Sequence, residues 1–111
     1  MKTQLTKEQS QHLIDLGVPK EKTSQEDWTS YSPIGVGFRY PIFTLTDLLE
    51  VLPKEIEGEE YVEYLRIGYT TDRKWQCYYT CFEDYFYGKE LIDALYELAY
   101  WTIENGYLKF E

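Results

Sequence analysis

Apolar residues recur at helical spacing in three stretches of the chain and alternate with polar ones in another. Leu13, Ile14 and Leu16 follow Thr6-Lys7-Glu8-Gln9. Thr6 suits an N-cap and Gln9 the third helical position, so the spacing predicts a helix over 7–16. Gly17 and Pro19 end it, and the polar 18–26 stretch reads as a loop. Leu45, Leu48, Leu49 and Leu52 share one face of a short second helix, capped by Thr44 or Thr46, favoured by Asp47 in its first turn and stopped by Pro53. The longest helix is predicted over 89–105. Leu91, Leu95, Leu98 and Thr102 form one stripe of it, Ile92, Ala99 and Ile103 the next, and Asn105-Gly106 closes it.

Strand patterning is strongest in the hairpin 61–69/73–82. Leu65, Ile67 and Tyr69 alternate with Tyr64, Arg66 and Gly68, and Trp75, Cys77, Tyr79 and Cys81 alternate with Lys74, Gln76, Tyr78 and Thr80. Odd positions therefore mark the buried face of both strands, and facing residues share a face. A loop at 70–72 pairs Ile67 with Trp75 and Leu65 with Cys77, the preferred register; a loop two residues longer pairs Ile67 with Cys77. Weak strands are expected in 28–40, interrupted by Pro33, Gly35, Gly37 and Pro41 and so placed at a sheet edge. The 54–60 stretch reads as a charged loop, and Tyr107 to Phe110 as a short tail strand. The predicted fold is α+β: an antiparallel sheet, built of the hairpin and the weak strands, covered on one face by three helices.

Length and charge narrow this further. The chain has 111 residues, one domain's worth, with 20 acidic against 11 basic residues and a net charge of −9. Such a balance opposes direct nucleic-acid binding and polybasic membrane attachment. Aromatics make up 18% of the chain, far more than acidic disordered segments carry, so it should fold. No apolar run follows Lys2 and none is long enough to span a bilayer, so a cytoplasmic location is expected.

Reactive chemistry is sparse. Cys77 and Cys81 on one strand would stand about 13 Å apart, beyond the reach of a disulfide, and read as small core residues. His12 is the only histidine, which excludes a histidine-based triad or a two-histidine metal site within one chain; it reads as a surface residue. Glu55, Glu57, Glu59 and Glu60, and Glu83 with Asp84, read as solvated carboxylates without calcium-loop spacing. Gly35-Val36-Gly37 lacks the third glycine and the helix of a dinucleotide site. No metal or cofactor is expected.

The distinctive feature is aromatic density. Helices on one sheet face leave the even positions bare, so Tyr64, Tyr78 and Phe82, with Tyr85 and Tyr87 beyond the hairpin, form a candidate interaction surface. Glu90, Asp93 and Glu97 lie together on the third helix as a candidate acidic face.

The stretches Leu5 to Gln9, Phe43 to Pro53 and Glu90 to Tyr107 resemble small uncharacterised proteins of gut bacteria and their prophages or mobile elements. That resemblance carries no catalytic residues and implies a cytosolic accessory protein. The leading expectation is a non-enzymatic module that binds a protein partner, or itself, through exposed aromatics. The alternative is an acidic nucleic-acid mimic that blocks a DNA- or RNA-binding protein through the acidic face. A small enzyme with a carboxylate or tyrosine site ranks third.

Overall fold

The computed structural model describes residues 1–31, 36–58, 60–80, 82–108 and 110, and for 27–31 and 36–39 the backbone. Pro33, Gly35, Glu59, Cys81 and Lys109 lie outside the described residues. The fold is α+β, with three α-helices and two antiparallel sheets.

All three helices form where the leucine spacing places them. Helix α1 spans Lys7–Asp15 and begins with a complete capping box between Thr6 and Gln9. Gly17, with φ of 111°, ends it in a conformation that costs glycine least. Helix α2 spans Leu45–Val51 and repeats the capping box with Thr44 and Asp47. Helix α3 spans Leu91–Glu104 and buries Leu91, Ile92, Ala94, Leu95, Leu98, Ala99 and Thr102. Gly106 turns left-handed after it, and the Gly106 and Tyr107 amides bond the carbonyls of Ile103 and Thr102.

The strands depart further from expectation. β1 (Gln25–Tyr31) and β2 (Val36–Ile42) pair with each other over their whole length as a separate two-stranded ribbon, instead of joining the hairpin's sheet. The four-stranded sheet has the order β3-β4-β5-β6, from Glu55–Glu57, Val62–Tyr69, Trp75–Tyr79 and Phe86–Gly88. Its outer strands come from segments whose charge and short length concealed them. The described tail residues 107, 108 and 110 belong to no strand.

The hairpin takes the longer-loop register, pairing Leu65 with Tyr79, Ile67 with Cys77 and Tyr69 with Trp75. Thr70 decides this: its amide bonds the Lys74 carbonyl at 2.8 Å, while the Arg73 amide returns to the Thr70 carbonyl. The turn thus centres one residue later than the preferred reading, with Arg73 held at φ 61°.

Parity survives the register change. Cys77 and Tyr79 are buried, and Leu65, Trp75 and Phe86 pack half-buried against the same core. Ile67 and Tyr69, however, are exposed at 40% and 59%. The reason is helix placement. Among the described residues, α3 makes the main helix contact with the sheet, over β5 and β6; α2 packs chiefly on α3, and α1 on β2. The sheet is therefore covered chiefly by one helix, with the other two packed beside it on the same core, and the turn end of β4 is left open. His12 is half-buried, its Nδ1 hydrogen-bonded to the Tyr96 hydroxyl and its ring 5.2 Å from that of Tyr100, which corrects the surface reading.

Candidate functional site

Register sorts the four strands into two faces. Glu55 pairs with Tyr64 and Glu57 with Val62; Arg66 pairs with Tyr78, and Gly68 with Gln76; Gln76 in turn pairs with Tyr87. Partners share a face, so all of these residues stand on the side opposite α3. The other side carries Ile56, Cys77, Tyr79 and Phe86 into the core.

On the helix-free side Tyr64 is 44% exposed and Tyr87 50%. Tyr78 is half-buried because the ring of Tyr85, itself 47% exposed, lies 4.8 Å from it. The Arg66 guanidinium sits 5.9 Å from the Tyr64 ring centre, within cation–π range. Gln76 Nε2 donates to the Tyr87 hydroxyl at 3.4 Å. Four of the five aromatics predicted from the sequence thus share one surface.

Phe82 does not. It is half-buried against the core, its ring 5.4 Å from both Trp101 and Tyr107. The chain leaves the strand pattern after Tyr79, and alternation no longer governs which way Phe82 turns. Arg66, Gly68 and Gln76 were readable as members of this surface from their even numbers alone. Glu55 and Glu57 were not, because nothing in a short acidic stretch marks a strand.

The acidic residues of α3 are partly occupied. Glu90 Oε2 accepts from the Lys2 amide at 2.9 Å, and Asp93 Oδ1 pairs with Lys2 Nζ at 3.0 Å. Both are half-buried, and Glu97 is exposed. Lys2 therefore engages two of the three carboxylates of this face, Asp93 through its ammonium and Glu90 through its backbone amide.

Two further groups are built into the fold. Asp47 Oδ2 accepts from the Ser24 amide, the Ser24 hydroxyl and the Thr44 amide, each at 2.9 Å. Burial would raise this carboxyl, but the bonds from Thr44 and Ser24 outweigh it and hold Asp47 below its ordinary value. Asp47 lines a surface depression of about 540 Å³ with Thr3, Ser24 and Glu50, yet its donors are already those of the cap and the neighbouring loop. Cys77 is fully buried, and desolvation pushes its thiol up to about 12, which makes it a poor nucleophile. Among the described residues, no three His, Cys, Asp or Glu side chains are grouped to hold a metal, and no helix is long and apolar enough to cross a membrane.

Comparison of the chain with protein-family models, curated proteins and solved structures finds no match.

Proposed function

We propose that this protein is a small, non-enzymatic, cytoplasmic interaction module that receives a protein partner on the helix-free face of its four-stranded sheet. One observation carries the reading: Tyr64, Tyr85 and Tyr87 stand exposed on the same open sheet face, around the half-buried Tyr78. A sheet face left bare in a small domain is normally polar, since only its covered face has a core to fill. Tyrosine offers large rigid area with a polar tip and loses little side-chain entropy on contact, which is why it concentrates at interfaces.

The test compares capture from bacterial lysate by the wild-type protein and by the Tyr64→Ser/Tyr87→Ser variant, with thermal unfolding of both recorded by circular dichroism. Both side chains are half in solvent, so the variant should melt within a few degrees of wild type. A protein held through high-salt washes by the wild type and lost by the variant is the expected result. Equal capture by the two, or a variant that fails to fold, overturns the assignment.

A further inference from the structure

The ribbon of β1 and β2 carries a second unpartnered feature, its outer edge. The radius of gyration is 15.7 Å and the longest dimension 58 Å, against a radius of about 13 Å for a compact chain of this length. The ribbon is the part that stands out, since among the described residues β1 and β2 pair with no other named strand. α1 packs on β2, whereas β1 has β2 as its main neighbour. A lone pair of strands is marginal in water, and a long unpaired edge is a template for a further strand.

The edges of the two sheets differ in how far they resist such pairing. β3 and β6 offer three residues each, with Glu55 and Glu57 among those of β3. β2 contains Gly37 and Pro41, and the chain just beyond it is held by the N-terminal segment, where the Leu5 amide donates to the Phe43 carbonyl and Gln4 bridges Thr44. β1 runs for seven residues without glycine or proline.

The base of the ribbon fixes which backbone groups of β1 face outward. Phe43 gives its amide to the Ser10 hydroxyl and its carbonyl to Leu5, and Ser24, which would stand opposite, gives its amide to Asp47. That position is therefore not bonded across the ribbon. Alternation then makes Gln25–Ile42, Asp27–Tyr40, Thr29–Phe38 and Tyr31–Val36 the bonded pairs. Trp28 and Ser30 consequently turn their amides and carbonyls to the outer edge.

We infer that this edge pairs antiparallel with β1 of a second copy of the chain, joining two ribbons into one four-stranded sheet. A two-fold axis perpendicular to the sheet keeps each face on its own side, so facing residue numbers sum to an even number. Two registers engage both Trp28 and Ser30 within β1. Pairing Trp28 with itself sets the two Asp27 positions about 7 Å apart along the strands, whereas pairing Trp28 with the partner's Ser30 sets them about 13 Å apart. Only the second separation exceeds the screening length of about 8 Å, which selects that register. It lays the acidic Glu26–Asp27 end of each strand toward the uncharged Ser30–Tyr31 end of the other. It also sets Thr29 against the partner's Thr29, a favourable cross-strand pair, and each Trp28–Ser30 pair exchanges both of its backbone bonds.

Analytical ultracentrifugation from micromolar to millimolar protein tests this, on the wild type and on Ser30→Pro. Proline at an outward position removes an edge donor and leaves the bonds between β1 and β2 in place. The wild type should pass to twice the mass of one chain as concentration rises. Ser30→Pro should need a concentration about tenfold higher or more, having lost the edge amide in both copies. Amide hydrogen exchange of the wild type gives a second reading that does not depend on how the variant folds. Trp28 and Ser30 should be protected only in concentrated solution, and Thr29 and Tyr31 in dilute solution as well.

A wild type that stays single at every concentration overturns the inference and leaves the edge to a strand from a different protein. Equal association by Ser30→Pro, or protection of Trp28 and Ser30 that ignores concentration, overturns it too. The Tyr64→Ser/Tyr87→Ser variant should associate as the wild type does; its failure to do so would assign the contact to the tyrosine face instead.

Discussion

At the scale of single residues, two positions carry conformational or electrostatic tension that can be measured. Arg73 holds φ at 61°, where its Cβ crowds the following carbonyl. It does so because Thr70 and Lys74 close the hairpin around a turn that needs a left-handed residue at that point. Arg73→Gly removes the crowding at the cost of a freer unfolded chain, for a net gain of about 0.5–1 kcal/mol. Urea unfolding checks this, and an unchanged or lower midpoint would contradict it. Asp47 is the electrostatic case. Its folded-state carboxyl lies below its unfolded value, so it stabilises the fold above the unfolded pKa and loses that contribution as pH falls through the folded one. Asp47→Asn should therefore melt below wild type at neutral pH. The gap should narrow as pH drops below about 4, where the carboxylate of the unfolded state begins to take up protons. A gap independent of pH would mean that the charge of Asp47 contributes nothing.

At the scale of elements, the helices were legible and the sheet only partly so. Helices announce themselves locally: Thr6 with Gln9, Thr44 with Asp47, and Asn105-Gly106 act within a few residues of the turns they cap. Strands β3 and β6 run three residues each and are defined by what they pair with, so neither Glu55–Glu57 nor Phe86–Gly88 carries a signature of its own. The junction of β6 with α3 shows how closely such elements must meet. A Cβ on Gly88 would fall 2.9 Å from the Glu90 carbonyl oxygen and 3.0 Å from the Ala94 nitrogen. These are backbone atoms of the start of α3, which cannot turn aside as a long side chain would. Gly88→Ala should accordingly cost about 1–3 kcal/mol. Chemical denaturation would show it as a lowered midpoint with the slope unchanged, and a midpoint equal to wild type would mean that the helix start gives way freely.

At the scale of the whole molecule, the thinnest dimension is 17 Å, which admits one layer of helix on one layer of sheet and no third layer. That thinness is why, among the described residues, no helix lies over the face bearing Tyr64 and Tyr87. It also explains the mixed fate of the aromatics. Trp101 on α3 gathers Phe82, Phe86 and Tyr107 at centroid distances of 5.4–6.0 Å; Phe82, Phe86 and Trp101 pack half-buried against the core, and Tyr107 caps them from the surface. Tyr78 and Tyr85 meet on the other side of the sheet. Adjacent residues in a short stretch of chain thus serve opposite faces.

The sequence by itself determined the helices, the existence of the hairpin and the parity of its faces. Each follows from spacing and capping chemistry within one or two turns of chain, where periods of 3.6 and 2 residues are unambiguous. It also placed Tyr64 and Tyr78 together, because strand alternation is a local rule. Only the tertiary structure decided the hairpin register, the separation of β1 and β2 into their own ribbon and the inward turn of Phe82. It likewise decided that α3, of the three helices, makes the main contact with the sheet. These depend on which distant surfaces meet: Thr70 against Lys74, α3 against β5 and β6, and Lys2 against Glu90 and Asp93. A linear pattern states that a residue will be buried or exposed. The partner that buries it is chosen by packing.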